Sequence, residues 1–168
     1  MDVQIFRFLQ PLLLAVLNEP AWVLISSWAL PGLLIIAGSI WAQRHKQWKT
    51  LALCLACGLL AETLNSHLIK PIFALPRPCL SEGLSLLQRC SSTYSMPSSH
   101  AVSIVAGLLP LAWAWRSAAP VFVFSGGLFI ISRIALGMHW PSDLIVGALI
   151  GSGIGLLGIS AQKRFAAR

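Results

Sequence analysis

Three short stretches hold most of the residues able to do nucleophilic or acid–base chemistry. The first runs from Lys70 through Arg77 to Pro78, the second is Met96-Pro97-Ser98-Ser99-His100, and the third is Ser132-Arg133, five residues, His139, three residues, Asp143. Lys70, Arg77 and Arg133 form a group of cations, whereas the acids on hand are few: Glu62, Glu82 and Asp143. Such a surplus suits an anion, and the planar fork of arginine matches phosphate oxygens. Pro97-Ser98-Ser99-His100 reads as a helix start, whose free N–H groups and positive dipole end favour phosphate. Ser98 then serves as N-cap or gives its hydroxyl to the ligand. Asp143, four residues after His139 across a turn, can accept the proton on one ring nitrogen and leave the other free to attack phosphorus. His100 is placed to act as general acid for the leaving oxygen and then as general base for water. Taken singly, each residue has a plainer reading: an arginine near a span end snorkels to the interface, and a lone histidine anchors or packs a helix. The conjunction favours catalysis.

These residues must be positioned by membrane helices. The 168 residues are 57% hydrophobic and only 10% charged, with a mean hydropathy of +0.78, against about a quarter charged in a soluble domain. A span takes about 20 mainly apolar residues, and five stretches qualify: Trp22–Ala42, Thr50–Ile69, Ser98–Trp115, Ala118–Leu136 and Pro141–Ala161. Residues 5–17, interrupted by Pro11, read as an interfacial helix, with a short, tilted sixth span as the alternative. The expected fold is therefore an all-α, polytopic transmembrane bundle forming one domain over residues 1–168. The start, Met1-Asp2-Val3-Gln4, lacks the positive region of a cleaved signal peptide.

Net charge is +7, but the basic residues form no face interleaved with aromatics, which argues against a nucleic-acid partner. They mark sidedness instead. Arg44, Lys46 and Lys49, then Arg116, then Lys163, Arg164 and Arg168 fall on one side of a five-span bundle, which the positive-inside rule makes cytoplasmic. All three chemistry-bearing stretches then meet on the opposite, periplasmic or extracellular, face of a cell membrane.

The remaining polar and small residues carry weaker signals. Cys54 and Cys57 lie within an apolar span and read as small buried hydrophobes rather than a metal or redox pair. Cys79 and Cys90 share a polar loop and would pair if that loop faces an oxidising compartment. Gly147, Gly151 and Gly155 recur at four-residue spacing and allow close helix approach, read as packing within the chain with a homodimer face as the alternative. Glu62, Asn65 and His67 read as interhelical hydrogen bonders, or else as a polar floor to the site.

The order and spacing of the three stretches, over residues 70–143, resemble the three-part signature of the type-2 phosphatidic acid phosphatase family, whose site is shared with vanadium haloperoxidases. The resemblance implies a helical membrane bundle, a phosphohistidine intermediate and no required metal or other cofactor. It implies phosphate binding by Lys70, Arg77, Ser98 and Arg133, with His100 as acid, His139 as nucleophile and Asp143 as its orienter. Where this chain has Ser99 the family usually has glycine, whose N–H contacts phosphate; Ser99 keeps the N–H and adds a hydroxyl, and is taken as a further phosphate-binding residue. The resemblance further implies membrane lipids as surroundings and a lipid phosphate or diphosphate as substrate. Undecaprenyl diphosphate is the leading expectation, ahead of phosphatidylglycerophosphate, phosphatidic acid or lipid A, and ahead of a non-catalytic binder of the same fold. A haloperoxidase is disfavoured because the family's peroxidases are soluble.

Overall fold

In hydrocarbon a backbone must satisfy its own polar groups, and these long uncharged apolar runs can do so only as helices. The computed structural model describes residues 2–27, 29–84 and 89–166, and all regular structure among them is helical. In chain order the helices are α1 (Asp2–Val16), α2 (Glu19–Ile25), α3 (Ala29–His45), α4 (Trp48–Leu64), α5 (Lys70–Phe73), α6 (Pro78–Ser81), α7 (Ser99–Ala114), α8 (Ala119–Ala135) and α9 (Pro141–Ala166). Four stretches are long and apolar enough to cross a membrane: Glu19–His45, Trp48–Ser81, Arg116–Ala135 and Pro141–Arg164.

Three of the expected spans differ from the sequence reading. The first is broken between α2 and α3. Ser26 caps α2, the Ser27 hydroxyl accepts from the Ala29 amide at 3.3 Å, and such serine-to-backbone bonds compete with the helical ladder; Trp28 lies outside the described residues. The third, α7, has 16 residues, about 24 Å at 1.5 Å per residue, which is short of a ~30 Å core. It is packed by α4, α8 and α9, so protein rather than lipid surrounds much of it. The second expected span instead runs on: α4 passes through a π-helical turn, Asn65–Ile69, into α5, and the chain leaves the helix at Ala74 with φ 48°.

The glycines of α9 settle its packing partner. A Cβ at Gly147 would lie 2.8 Å from the Ser98 carbonyl oxygen, one at Gly151 would run into the Val102 carbonyl, and one at Gly155 would lie 3.1 Å from Leu109. The small-residue stripe is thus consumed against α7 inside the chain. Cys54 and Cys57 are free and buried, Cys57 among Ala61, Val102 and Ala106.

The bundle has two chemically distinct ends. At one, Trp41 stacks on Trp115 at 5.3 Å and Trp115 meets Phe122 edge-on at 5.7 Å, while Gln162 bonds Thr50 at 3.2 Å. These contacts gather Arg44, Lys46, Lys49, Arg116, Lys163 and Arg164 at that end; Arg168 lies outside the described residues. At the other end lie the chemistry-bearing stretches, with α1 against them: Phe6 packs on Trp140 at 5.2 Å, Arg7 pairs with Glu82 at 2.7 Å, and Asp2 bonds Ser142. With 15 residues, Pro11 inside it and Phe8, Leu12 and Val16 exposed, α1 fits an interfacial helix.

Candidate active site

The turn from Arg133 to Asp143 is folded by its own backbone. The Arg133 carbonyl accepts from the amides of Met138 and His139 at 2.9 and 3.2 Å, and Gly137 takes a positive φ of 61° that suits its lack of a side chain. His139, 1% exposed, comes to rest beside Asp143, 0% exposed, at the first turn of α9.

Asp143 Oδ2 accepts from the Trp140 amide at 2.8 Å and from the Ser95 hydroxyl, and lies 3.3 Å from His139 Nδ1. The other ring nitrogen, Nε2, is 3.1 Å from Arg77 Nη1. A guanidinium can only donate and a carboxylate can only accept. The partners therefore assign the tautomer: Nδ1 carries the proton and Nε2 presents its lone pair. His139 sits in the turn between two spans. Burial, reinforced by the positive charges of Arg77, Lys70 and Arg133, pushes its imidazole well below the ordinary histidine range, which favours the neutral ring.

Arg77, at the start of α6, is 5% exposed. Its Nε donates to the Thr93 carbonyl at 2.9 Å, Nη1 to the Met138 carbonyl at 2.9 Å, and Nη2 to the Thr93 hydroxyl at 2.9 Å and the Tyr94 carbonyl at 3.3 Å. It stitches the loop before α7 to the turn before α9. Lys70 Nζ donates to the Tyr94 and Ser95 carbonyls at 2.7 and 3.1 Å. Arg133, 4% exposed, donates through Nη1 to the Ser26 hydroxyl, and its buried Nε has no hydrogen-bond partner among the described residues. Glu82 is taken by Arg7, so Asp143 is the one acid buried with these three cations among the described residues. The balance favours a bound anion, since buried charges need partners.

The start of α7 completes the arrangement. Ser98 is the N-cap, accepting from the Ala101 amide, and its own amide donates to the Asp143 carbonyl at 3.1 Å. His100 lies one residue into α7, its ring tilted against Phe129 at 5.6 Å, on the same side as Arg133, His139, Arg77 and Lys70. It lines one end of an apolar groove of about 220 Å³ between α3, α4, α7 and α8. The Ser99 hydroxyl faces α4, 2.9 Å from Asn65 Nδ2 and 3.3 Å from Ser66 Oγ. Asn65 thus acts as the interhelical bonder expected of it. Cys79 and Cys90 are joined in a disulfide that closes the loop beside Arg77.

The eight residues singled out by sequence, Lys70, Arg77, Ser98, Ser99, His100, Arg133, His139 and Asp143, thus converge on one end of the bundle. Three others went unrecognised: Ser95, bonded to Asp143; Thr93, bonded twice to Arg77; and Ser26, bonded to Arg133. None of the three stood out in the sequence from the other serines and threonines.

Comparison with known proteins agrees with this geometry. Residues 49–166 match the PAP2 superfamily. An undecaprenyl-diphosphatase of Sulfolobus acidocaldarius is 32% identical over 83 residues, covering 46% of this chain and 38% of that protein. A decaprenylphosphoryl-5-phosphoribose phosphatase of Mycobacterium tuberculosis is 38% identical over 66 residues, covering 39% of this chain and 36% of that protein. The chain therefore spans well under two thirds of the length of the curated relatives it matches. The crystal structure of Aquifex aeolicus LpxE superposes with a TM-score of 0.70 over 94% of both chains at 23% identity, a likeness of fold.

Proposed function

We propose, from the premise that this chain belongs to the PAP2 superfamily, that residues 1–168 act as one integral-membrane phosphatase domain that hydrolyses a lipid phosphate or diphosphate. The observation that carries this reading is the held imidazole: His139 with Nδ1 on Asp143 and Nε2 turned to Arg77, beside buried Lys70 and Arg133.

In the proposed reaction the phosphoryl group inserts between Arg77 and His139 and replaces their mutual contact. Arg77, Lys70, Arg133 and the first-turn N–H groups of α7 hold its oxygens; Ser98 caps that turn. The His139 Nε2 lone pair forms the P–N bond as the bond from phosphorus to the leaving oxygen breaks. His100 gives its proton to that oxygen. Asp143 stabilises the positive charge developing on the His139 ring. Water then attacks phosphorus, loses a proton to His100, and the P–N bond breaks to release inorganic phosphate. Phosphoryl transfer depends mainly on positioning and charge stabilisation, so a clamp of cations can serve in the role magnesium has elsewhere.

For the substrate, the names of both curated relatives denote phosphates on polyprenyl carriers. The apolar groove leading from His100, walled by Leu34, Leu51, Leu55, Ile104 and Leu111, suits a long hydrocarbon tail. Undecaprenyl diphosphate, dephosphorylated on the periplasmic face, is accordingly the substrate proposed. The test is phosphate release from undecaprenyl diphosphate, phosphatidylglycerophosphate and phosphatidic acid in detergent, by wild type and His139→Ala. The variant should lose at least about 10³-fold in kcat with an unchanged melting profile, and EDTA should not slow the wild type. Wild-type-like turnover by His139→Ala would remove His139 from the mechanism.

A further inference from the structure

Ser99, 8% exposed, occupies the one signature position where this chain departs from the usual glycine, and its hydroxyl is tied away from the phosphate side. Counting protons orders the bonds around it. Asn65 is fully buried, and its Nδ2 lies 3.1 Å from the Pro97 carbonyl and 2.9 Å from Ser99 Oγ. A carbonyl only accepts, so the amide nitrogen must face that way, and Ser99 Oγ accepts the second amide hydrogen. Ser66 Oγ lies 2.8 Å from Glu62 Oε1 and 3.3 Å from Ser99 Oγ. The Glu62 carboxylate can only accept, so Ser66 spends its single hydroxyl proton there. Ser99 must then donate to Ser66. The chain runs one way, Asn65 to Ser99 to Ser66 to Glu62, and leaves the Ser99 hydroxyl no proton for a ligand.

The chain joins two places that matter for the site. Asn65 and Ser66 open the π-helical turn at the end of α4, a local irregularity of the kind found at functional sites. Ser99 is the first residue of α7, one before His100. From the opposite side the same turn of α7 is held by the Ser98 amide bonding the Asp143 carbonyl. Resting on the functional reading above, we propose that Asn65, Ser66 and Glu62 are positioning residues that act through Ser99, fixing the first turn of α7 so that His100 meets the leaving oxygen. Ser99 is a strut in this arrangement, and α7 offers phosphate its backbone N–H groups.

A positioning role for the acid has a signature that mere destabilisation lacks. The alkyl leaving oxygen of a lipid monophosphate such as phosphatidic acid needs protonation, whereas p-nitrophenolate leaves readily without it; undecaprenyl diphosphate, whose leaving group is itself a phosphate, is not the substrate for this comparison. Asn65→Ala should therefore lower kcat for a lipid phosphate by about tenfold or more, a fraction of what a general acid contributes, while KM and turnover of p-nitrophenyl phosphate change much less. In a Ser99→Gly background, which removes the strut, Asn65→Ala should cost markedly less, as coupled neighbours are non-additive. Equal losses on both substrates, no loss on either, or full additivity with Ser99→Gly would overturn the proposal. Thermal melts of each variant separate unfolding from misplacement. Wild type inactive on every lipid phosphate would defeat the phosphatase reading itself, a result distinct from an active wild type whose Asn65→Ala variant behaves normally.

Discussion

The two histidines occupy contrasting surroundings at the same end of the bundle. His139 is walled in: a carboxylate, a serine hydroxyl and a guanidinium surround its ring, and the main chain on both sides is bonded back to Arg133 and Asp143. His100 stands on the rim of an apolar groove against Phe129. In the proposed mechanism, with His139 as nucleophile and His100 as general acid, the contrast follows from what each would meet. A nucleophile attacks the same phosphorus in every substrate, so fixing one nitrogen costs nothing in range. A general acid meets the leaving group, the part that varies, and a histidine beside the groove can serve different tails.

That division of labour can be broken by experiment. Among variants that keep the nucleophile, the largest expected effect is from Asp143→Asn. An amide can offer an N–H toward Nδ1 and stabilise the wrong tautomer, and kcat should fall about 10⁴-fold, as removal of an orienting carboxylate does elsewhere. The loss should be equal for lipid phosphates and p-nitrophenyl phosphate. A loss confined to poor leaving groups would place Asp143 on the acid side of the reaction. Next comes His100→Ala, expected to cost about 10²–10⁴-fold on lipid phosphates and far less on p-nitrophenyl phosphate, measured as kcat for each. Uniform loss would erase the distinction between the two histidines. The smallest effect on chemistry, though a clear one on stability, is expected from Gly151→Val. Forcing a side chain onto the Val102 carbonyl should destabilise by about 1–3 kcal/mol, read as a lowered melting temperature in detergent, with the ratio of the two substrates unchanged.

Much of this arrangement was legible before any coordinates. Spacing alone put Lys70, Arg77, His100, Arg133, His139 and Asp143 on one face, because alternating spans bring every second connection to the same side. The fates of Gly147, Gly151 and Gly155 were legible in part: their spacing announced a close approach, but only the structure names α7 as the partner. Ser95, Thr93 and Ser26 were not legible. Each acts through a bond to a residue 16 or more positions away, and a serine or threonine in a loop reads the same whether it faces water or a buried charge. The break at Ser26-Ser27 was hidden for a related reason: hydropathy registers that a stretch is apolar and misses the Ser27 hydroxyl turned back on the Leu24 carbonyl and the Ser26 hydroxyl taken by Arg133.

The seam between α7 and α9 bears on how a lipid reaches the phosphate cradle. Where Gly147, Gly151 and Gly155 bring α9 close to the backbone of α7, little side chain can rotate aside, and the seam resists widening. The groove that reaches His100 lies on another flank of α7, against α3 and α4, where Leu34, Ile35, Leu55 and Leu59 are long and pliable. On the proposed reading, a lipid tail would enter from that flank and leave the α7–α9 seam undisturbed.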